Sequence, residues 1–245
     1  MTVAEILEFF NTHKPKSTPR IFSLVLPQVP QANHAVALDL CCGSGELTAK
    51  LAERGYRAYG VDISSRFIGQ GGTEAAGYVL GDVNAVPFAN GSAALVCSID
   101  SLQYFAHPGA TLAEMARLLQ PGGTLILSCQ NNYNPAGIKK WIMERLTGKT
   151  WSPWLVHPIE NQITYPWLIT TLREQGLEIE YVRGQQFLTA WVSLLPRFIR
   201  NWSPWKNKPW RSPTSVASRV RFPRAIEESL LARFAMIVLI RARKK

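Results

Sequence analysis

A doubly wound α/β sheet is the fold predicted for this 245-residue chain, and three observations predict it. Residues 36–64 (VALDLCCGSGELTAKLAERGYRAYGVDIS) read as a strand, a glycine turn, an amphipathic helix and a second strand ending on an acid. Strand and helix patterns then alternate at a spacing that calls for parallel pairing. Two acids, Asp39 and Asp62, fall at the C-terminal ends of the first two strands. That is the edge where open α/β sheets bind ligands.

The elements follow in order. VAEILEFF, at the start, suits a short amphipathic helix that the prolines at 15 and 19 break. IFSLVLPQV forms a second short helix or an apolar turn leading into the sheet. Strands are expected at about 36–41, 57–62, 77–81, 93–99 and 123–129, with helices at about 45–54, 64–70 and 109–119. Gly69, Gly71 and Gly72 weaken the second of these helices. After Ser128 the rhythm changes. Residues 130–160 are rich in Asn, Pro and Trp around one helical run, AGIKKWIMERLTG. A helix at 165–176, closed by Gly176, precedes the strand LEIEYVRG. About fifty residues without a strand pattern separate it from a last strand at about 234–242, and loops of more than ~15 residues are usually lids or disordered.

The ligand is narrowed by the residues around the first turn. Gly43 and Gly45 let the backbone turn tightly and approach a bound molecule. A dinucleotide site of the form G-x-G-x-x-G would seat a pyrophosphate on the helix N-terminus. Here Thr48 takes the third glycine position, and Asp39 stands four residues before Gly43. A carboxylate there repels a pyrophosphate and attracts an ammonium or sulfonium group. D-x-x-x-G-x-G with a second acid one β-α-β step later therefore fits S-adenosylmethionine better than NAD.

With these residues the chain resembles the class I S-adenosylmethionine-dependent methyltransferases. It looks closest to their broad small-molecule group, methyltransferase type 11 and the quinone-biosynthesis methyltransferases among them. The resemblance covers roughly residues 35–185 and the final strand, and continues through GDVNAVPF (81–88) and LLQPGGTLILS (118–128). It implies a Rossmann-like, mostly parallel seven-stranded sheet with helices on both faces, its last strand antiparallel, and a helical or irregular lid. It also implies one domain over 1–245, with a cofactor-binding core at 35–130, substrate-lid insertions at 130–160 and 184–224, and a closing strand at 234–242. The cofactor residues it implies are Asp39, Cys41, Gly43, Gly45, Asp62, Ile63, Asp82, Val83 and Ser98.

Each has a plainer reading. Asp62 would accept hydrogen bonds from the ribose hydroxyls, or be a solvated strand-end acid. Asp82 would meet the adenine amino group, or be a helix N-cap or a loop acid. Asp39 would lie near the sulfonium and amino groups, or cap the helix that follows. Ser98 would touch the cofactor or simply pack. Cys41 departs from the family, which more often has glycine there; its thiol is expected near the methionine part of the cofactor.

Charge and aromatic residues are unevenly placed. The formal net charge is +10. Residues 183–245 hold 14 Lys and Arg against Glu227 and Glu228, a net of +12, and the first 182 residues hold the other 13 basic and 15 acidic groups, a net of −2. All eight tryptophans lie at Trp141 or later. No apolar run reaches the ~18 residues that span a bilayer, and two glutamates interrupt the apolar N-terminus, unlike a secretory signal. Cys41, Cys42, Cys97 and Cys129 form no C-x-x-C pair, so neither a zinc site nor a disulfide framework is indicated, and no metal is expected. A reducing cytoplasm, with possible peripheral contact at a membrane, is the expected compartment.

Methyl transfer needs the nucleophile held close and in line, with a base where a hydroxyl or activated carbon is the acceptor. Candidates for that base are Asp100, Tyr104 and His157, each equally readable as packing or loop structure; His107 reads as a helix-start residue. The segment after the fourth strand, SIDSLQYF, lacks the proline pair of enzymes that methylate adenine or glutamine amino groups. Cys97 lacks the preceding proline of the cytosine C5 enzymes. Nucleic acid is thus the minority partner, although the basic C-terminal charge permits it. The stretch FLTAWVSLLPRFIRNWSPWKNKPWRSP suits a lid walling an apolar pocket, a segment lying on an anionic membrane, or a loop with solvated charges. The sequence reading is therefore a methyltransferase acting on a small, hydrophobic or lipid-like acceptor. Its rivals are an RNA methyltransferase and a non-catalytic binding subunit of the same fold.

Overall fold

The computed structural model describes residues 8, 12, 19–149, 161–195, 217, 220 and 222–245. The first helix α1 (Pro19–Val25) runs into a 3-10 turn, Leu26–Gln28. The Rossmann-like half follows as β1 (Val36–Leu40), α2 (Glu46–Glu53), β2 (Arg57–Asp62), β3 (Gly77–Leu80), β4 (Ala93–Ile99), α3 (Pro108–Leu118) and β5 (Leu119–Gln130). The second half comprises α4 (Pro135–Thr147), α5 (Tyr165–Glu174), β6 (Leu177–Gln185), α6 (Phe187–Val192), α7 (Arg224–Glu227) and β7 (Ile237–Lys244).

The seven strands lie in the order β3-β2-β1-β4-β5-β7-β6. β1 pairs in parallel with β2 on one side and β4 on the other, so the winding reverses direction there. β7, the last strand in the sequence, inserts antiparallel between β5 and β6 and runs against the rest.

Side-chain alternation decides which face each strand residue serves. Leu38, Leu40, Val96, Leu125, Leu127, Val238 and Ile240 pack with Leu112 and Met115 of α3 and Leu168 and Leu172 of α5. Their neighbours Ala37, Leu95, Cys97, Ile126 and Leu239 turn to the opposite face, against Ile21 and Val25 of α1 and Leu47 and Leu51 of α2. Each Leu, Ile, Val or Met among them stabilises the fold by about 1.5–3 kcal/mol when fully buried. Asp39 shares the parity of Ala37, which turns its carboxylate toward α2.

Several boundaries differ from the sequence reading. Residues 64–70 form successive turns and no helix; Gly69 takes φ +74°, and Gly71 and Gly72 follow it. β5 begins at Leu119 because Ala93 pairs with it before a register shift. β7 starts at Ile237, later than 234, because Leu230–Phe234 coil into a 3-10 turn. The N-terminal helix expected over 3–10 and much of both lid insertions fall outside the described residues.

One buried amide joins the two halves. Asn131 donates through Nδ2 to the carbonyls of Arg233 (2.9 Å) and Ala235 (2.7 Å). Its Oδ1 accepts from the backbone of Tyr133 (3.0 Å) and Tyr165 (2.9 Å). It thus anchors the end of β5, the start of α5 and the turn into β7. We expect Asn131→Ala to destabilise the chain by about 3 kcal/mol, since a buried unsatisfied polar group costs about 1–3 kcal/mol. At roughly 2–4 °C per kcal/mol the melting midpoint should fall by about 6–12 °C. An unchanged midpoint by calorimetry would show that the anchor is dispensable.

Candidate functional site

The site is built on the loop from β1 to α2. Cys41, Gly43 and Gly45 have φ of +61°, +54° and +87°, so the chain reverses within five residues. Glycine tolerates that conformation freely, whereas at Cys41 the side chain makes it costly. At Gly45 a Cβ would also lie 2.5 Å from the Tyr78 ring. Gly60 serves from below: a Cβ there would come within 2.7 Å of Thr48 Oγ1 and 2.8 Å of Cys42 Sγ. The loop folds onto the tip of β2, where the Gly43 N–H donates to Asp62 Oδ2 and the Ser64 N–H donates to Asp62 Oδ1, both at 2.8 Å.

Asp39 is buried and accepts a 2.7 Å hydrogen bond from the Thr48 hydroxyl. Burial pushes its carboxyl up to about 7, opposed by the Thr48 hydrogen bond and reinforced by the charge of Asp62. Asp62 is likewise raised by burial, against the backbone bonds from Ser64 and Gly43. Burial, with the same acids nearby, holds the Cys41 thiol well above its ordinary range, so it stays protonated.

Ile63 is half-buried beside Asp62, and Val83 is buried beneath the β3 tip. Asp82 is exposed and its Oδ1 accepts from the backbone (2.8 Å) and side chain (2.9 Å) of Asn84, the geometry of a turn cap. Ser98 is fully buried, with its hydroxyl 2.7 Å from that of Ser101. The fold therefore gathers Asp39, Cys41, Gly43, Gly45 and Asp62 into one loop cluster, with Ile63, Asp82, Val83 and Ser98 along the same edge of the sheet. Thr48, Gly60 and Tyr78 support this cluster, and of the three only Thr48, a threonine at the third glycine position, carries a signal in the sequence.

These residues fit a cationic nucleoside. A carboxylate offers about four acceptor positions, so the amide bonds to Asp62 leave capacity for hydroxyl donors. Asp39, raised by burial and by a neighbouring acid, is a buried carboxylate that a positive ligand would favour in its ionised form. No group of three or more His, Cys, Asp or Glu suited to a metal occurs among the described residues.

Along the same edge lies a pocket of about 180 Å³, at the ends of β4, β5 and β6 and the start of β7. Asp100, Gln103, Tyr104, Gln130 and Gln186 line it with Met236 and Ile237. Asp100 has φ +55°. Its Oδ1 accepts from the Ser128 hydroxyl at 3.1 Å, and its backbone carbonyl accepts from Gln103 Nε2 at 2.9 Å. Burial raises its carboxyl, with the Ser128 bond opposing. Asp100 and Tyr104 thus share one pocket, whereas His157 lies outside the described residues. His107 precedes α3, its carbonyl accepting from the Thr111 N–H. Gln103, Gln130 and Gln186 had no signature in the sequence, since a lone glutamine carries no motif.

Residues 38–127 match the family model of the methyltransferase domain. A bifunctional biotin-biosynthesis protein of Cellvibrio japonicus is 35% identical over 101 residues, covering 40% of this chain and 20% of that protein. The demethylmenaquinone methyltransferase of Beutenbergia cavernae is 33% identical over 93 residues, covering 37% of this chain and 39% of that one. The chain thus spans well under half the length of these relatives. The geranyl diphosphate C-methyltransferase of Streptomyces coelicolor, solved with S-adenosyl-L-homocysteine, superimposes with a TM-score of 0.61 at 14% identity, over 92% of this chain and 79% of that one. Residues 38–127 thus match the methyltransferase domain in sequence, on a fold shared with S-adenosylmethionine-dependent methyltransferases.

Two outcomes follow for the cofactor. Asp62→Ala should weaken S-adenosylmethionine at least about tenfold, because each hydrogen bond to a charged group contributes about 1.5–3 kcal/mol; unchanged affinity by calorimetry would remove Asp62 from the site. For Asp39 the pH dependence has a definite sign. Its folded-state pKa of about 7 exceeds the ordinary 3.8, so between them the folded chain holds a proton that the unfolded chain releases. Its contribution to stability is full at low pH and is lost as pH rises through that window. A cation beside the carboxylate favours the ionised form. Cofactor binding should then expel a proton below neutrality and tighten by up to about tenfold per pH unit until it levels off. Titrations in buffers of different ionisation enthalpy measure the proton, and Asp39→Asn should abolish its release.

Proposed function

We propose that this chain transfers the methyl group of S-adenosylmethionine to a small acceptor with a polar reactive end and an apolar body. The observation that carries the reading is the shared sheet edge: the acid–glycine cluster at β1 and β2 and the Asp100 pocket at β4 and β5 open along the same row of strand ends. Asp39, Asp62 and Asp82, with Gly43, Gly45, Ile63, Val83 and Ser98, would hold the cofactor. When bound, S-adenosylmethionine would supply a methyl carbon activated by positive sulfur, open to in-line attack by the acceptor with S-adenosylhomocysteine as the leaving group.

The pocket residues then have defined tasks. Asp100, held by Ser128, would accept a hydrogen bond and then the proton from the acceptor's hydroxyl or acidic carbon as the new bond to the methyl carbon forms. Tyr104, Gln103, Gln130 and Gln186 would orient that polar end, and Met236 and Ile237 would meet its apolar part. Two of the related proteins are named for demethylmenaquinone and geranyl diphosphate, which supports a small-molecule acceptor. The lack of the proline pair and Pro-Cys motif of base methylation supports a small-molecule acceptor over nucleic acid, and the basic C-terminal charge is compatible with delivery from an anionic membrane.

Incubation with labelled cofactor and fractionated metabolite, lipid and RNA extracts, followed by mass identification of the product, tests the reading. Transfer of label to an RNA fraction alone would overturn the small-molecule acceptor. With the acceptor in hand, Asp100→Asn should lower kcat by roughly 10²-fold or more, the scale of general-base assistance, while cofactor affinity stays within a few-fold. Because burial raises the Asp100 carboxyl, wild-type kcat should rise with pH through that titration, and the variant should lose that limb.

A further inference from the structure

The helix α4 is mounted with its apolar side outward. Ile138, Trp141, Ile142 and Leu146 recur at helical spacing on one face and are 59%, 53%, 42% and 77% exposed. The inward face instead carries Ala136, Gly137 and Lys140, the last only 1% exposed. A helix of a water-soluble domain normally buries its apolar stripe.

This orientation is locked by specific bonds. Asn134 caps the helix by accepting from the Gly137 N–H at 3.1 Å. A Cβ at Gly137 would stand 1.9 Å from the Asn132 carbonyl oxygen, so the helix start is pressed against the body. Lys140 Nζ donates to Glu144 at 2.7 Å, and Gln162 donates to the other Glu144 oxygen at 2.6 Å. Turning the stripe inward would break this buried set and leave charges unpaired, which is expensive. The adjoining α6 extends the patch with Trp191, 62% exposed, together with Leu188, and Leu194 follows it. Lys139 fastens the two, donating to the carbonyls of Ser193 (2.9 Å) and Leu194 (3.3 Å).

The charges on this face have one sign. Glu144, the sole acid in 135–149, faces inward with Lys140, whereas Arg145 and Lys149 are exposed. The Arg145 guanidinium lies 5.8 Å over the Trp141 ring. We propose that the α4–α6 face docks on an anionic lipid surface, inserting its aliphatic and tryptophan side chains at the headgroup boundary with Arg145 and Lys149 against the lipid charge. Tryptophan beside cations with a continuous apolar stripe is the chemistry of an interfacial helix. A second copy of the chain fits less well, since a two-fold contact would set the same cations against each other. The inference stands on the patch alone and does not depend on the methyl-transfer reading.

The test uses the full chain with phosphatidylcholine vesicles, with and without phosphatidylglycerol, and measures cofactor binding by calorimetry on the same samples. Binding should favour the anionic vesicles, weaken with added salt, and shift tryptophan emission to the blue. The double variant Trp141→Ser/Leu146→Ser should lose at least about tenfold in vesicle affinity. Arg145→Glu should remove most of the preference for anionic lipid. Both should keep cofactor affinity, because these side chains lie away from the β1–α2 loop. Equal vesicle binding by wild type and the double variant would overturn the proposal. So would a concentration-dependent dimer abolished by the double variant, or RNA binding that the patch variants weaken without any vesicle binding. Loss of cofactor binding in the wild type would strike the methyl-transfer reading and leave the lipid result standing.

Discussion

The hydrogen bond from the Gly43 amide to the Asp62 carboxylate is the constraint on which the candidate site at the β1 and β2 ends depends. It holds the β1–α2 loop down on the tip of β2, which requires the left-handed backbone at Cys41, Gly43 and Gly45. Turns of this kind gather N–H groups into a concavity that attracts anions. Here the anion is supplied by the chain itself. Cys42 N–H is also engaged, with the Val61 carbonyl, and Gly45 N–H with that of Cys42. Three amides of this loop, those of Cys42, Gly43 and Gly45, are therefore already occupied, and the loop presents carboxylate beside them.

Burying two acids in one loop raises both, and Thr48 moderates the deeper one. The arrangement is unfavourable for the ionised protein by itself and favourable for the protein with a cation beside it. Stability and ligand affinity thus pull in opposite directions with pH, which is common where a site is built before its ligand arrives. Cys41 adds to the strain without adding reactivity, because burial keeps its thiol protonated.

The other end of the sheet is organised by Asn131 and by the antiparallel β7. Together they close the strand row beside β5 and bring Gln130, Gln186 and Met236 to the pocket that Asp100 lines. The same neighbourhood carries α4, whose inward lysine and outward tryptophan invert the usual amphipathic arrangement. The polar interior and the apolar exterior of this region have one origin. Lys140, Glu144 and Gln162 satisfy each other inside, and the apolar stripe is left on the opposite face.

The sequence by itself determined the parallel half of the sheet, the loop glycines and the acids at the first strand ends. Those features rest on local periodicity, and a strand's alternation or a turn's demand for glycine is legible within a few residues. It did not yield the loss of helix at 64–70 in full, where three nearby glycines only weakened the expectation. Nor did it place Thr48 against Asp39, gather three glutamines around Asp100, or reveal that α4 faces outward. Each of these depends on contacts between segments far apart in the chain, such as β5 with β7 or Asn131 with Ala235. Local pattern identifies which residues share a face, and only the packing of distant elements decides what that face meets.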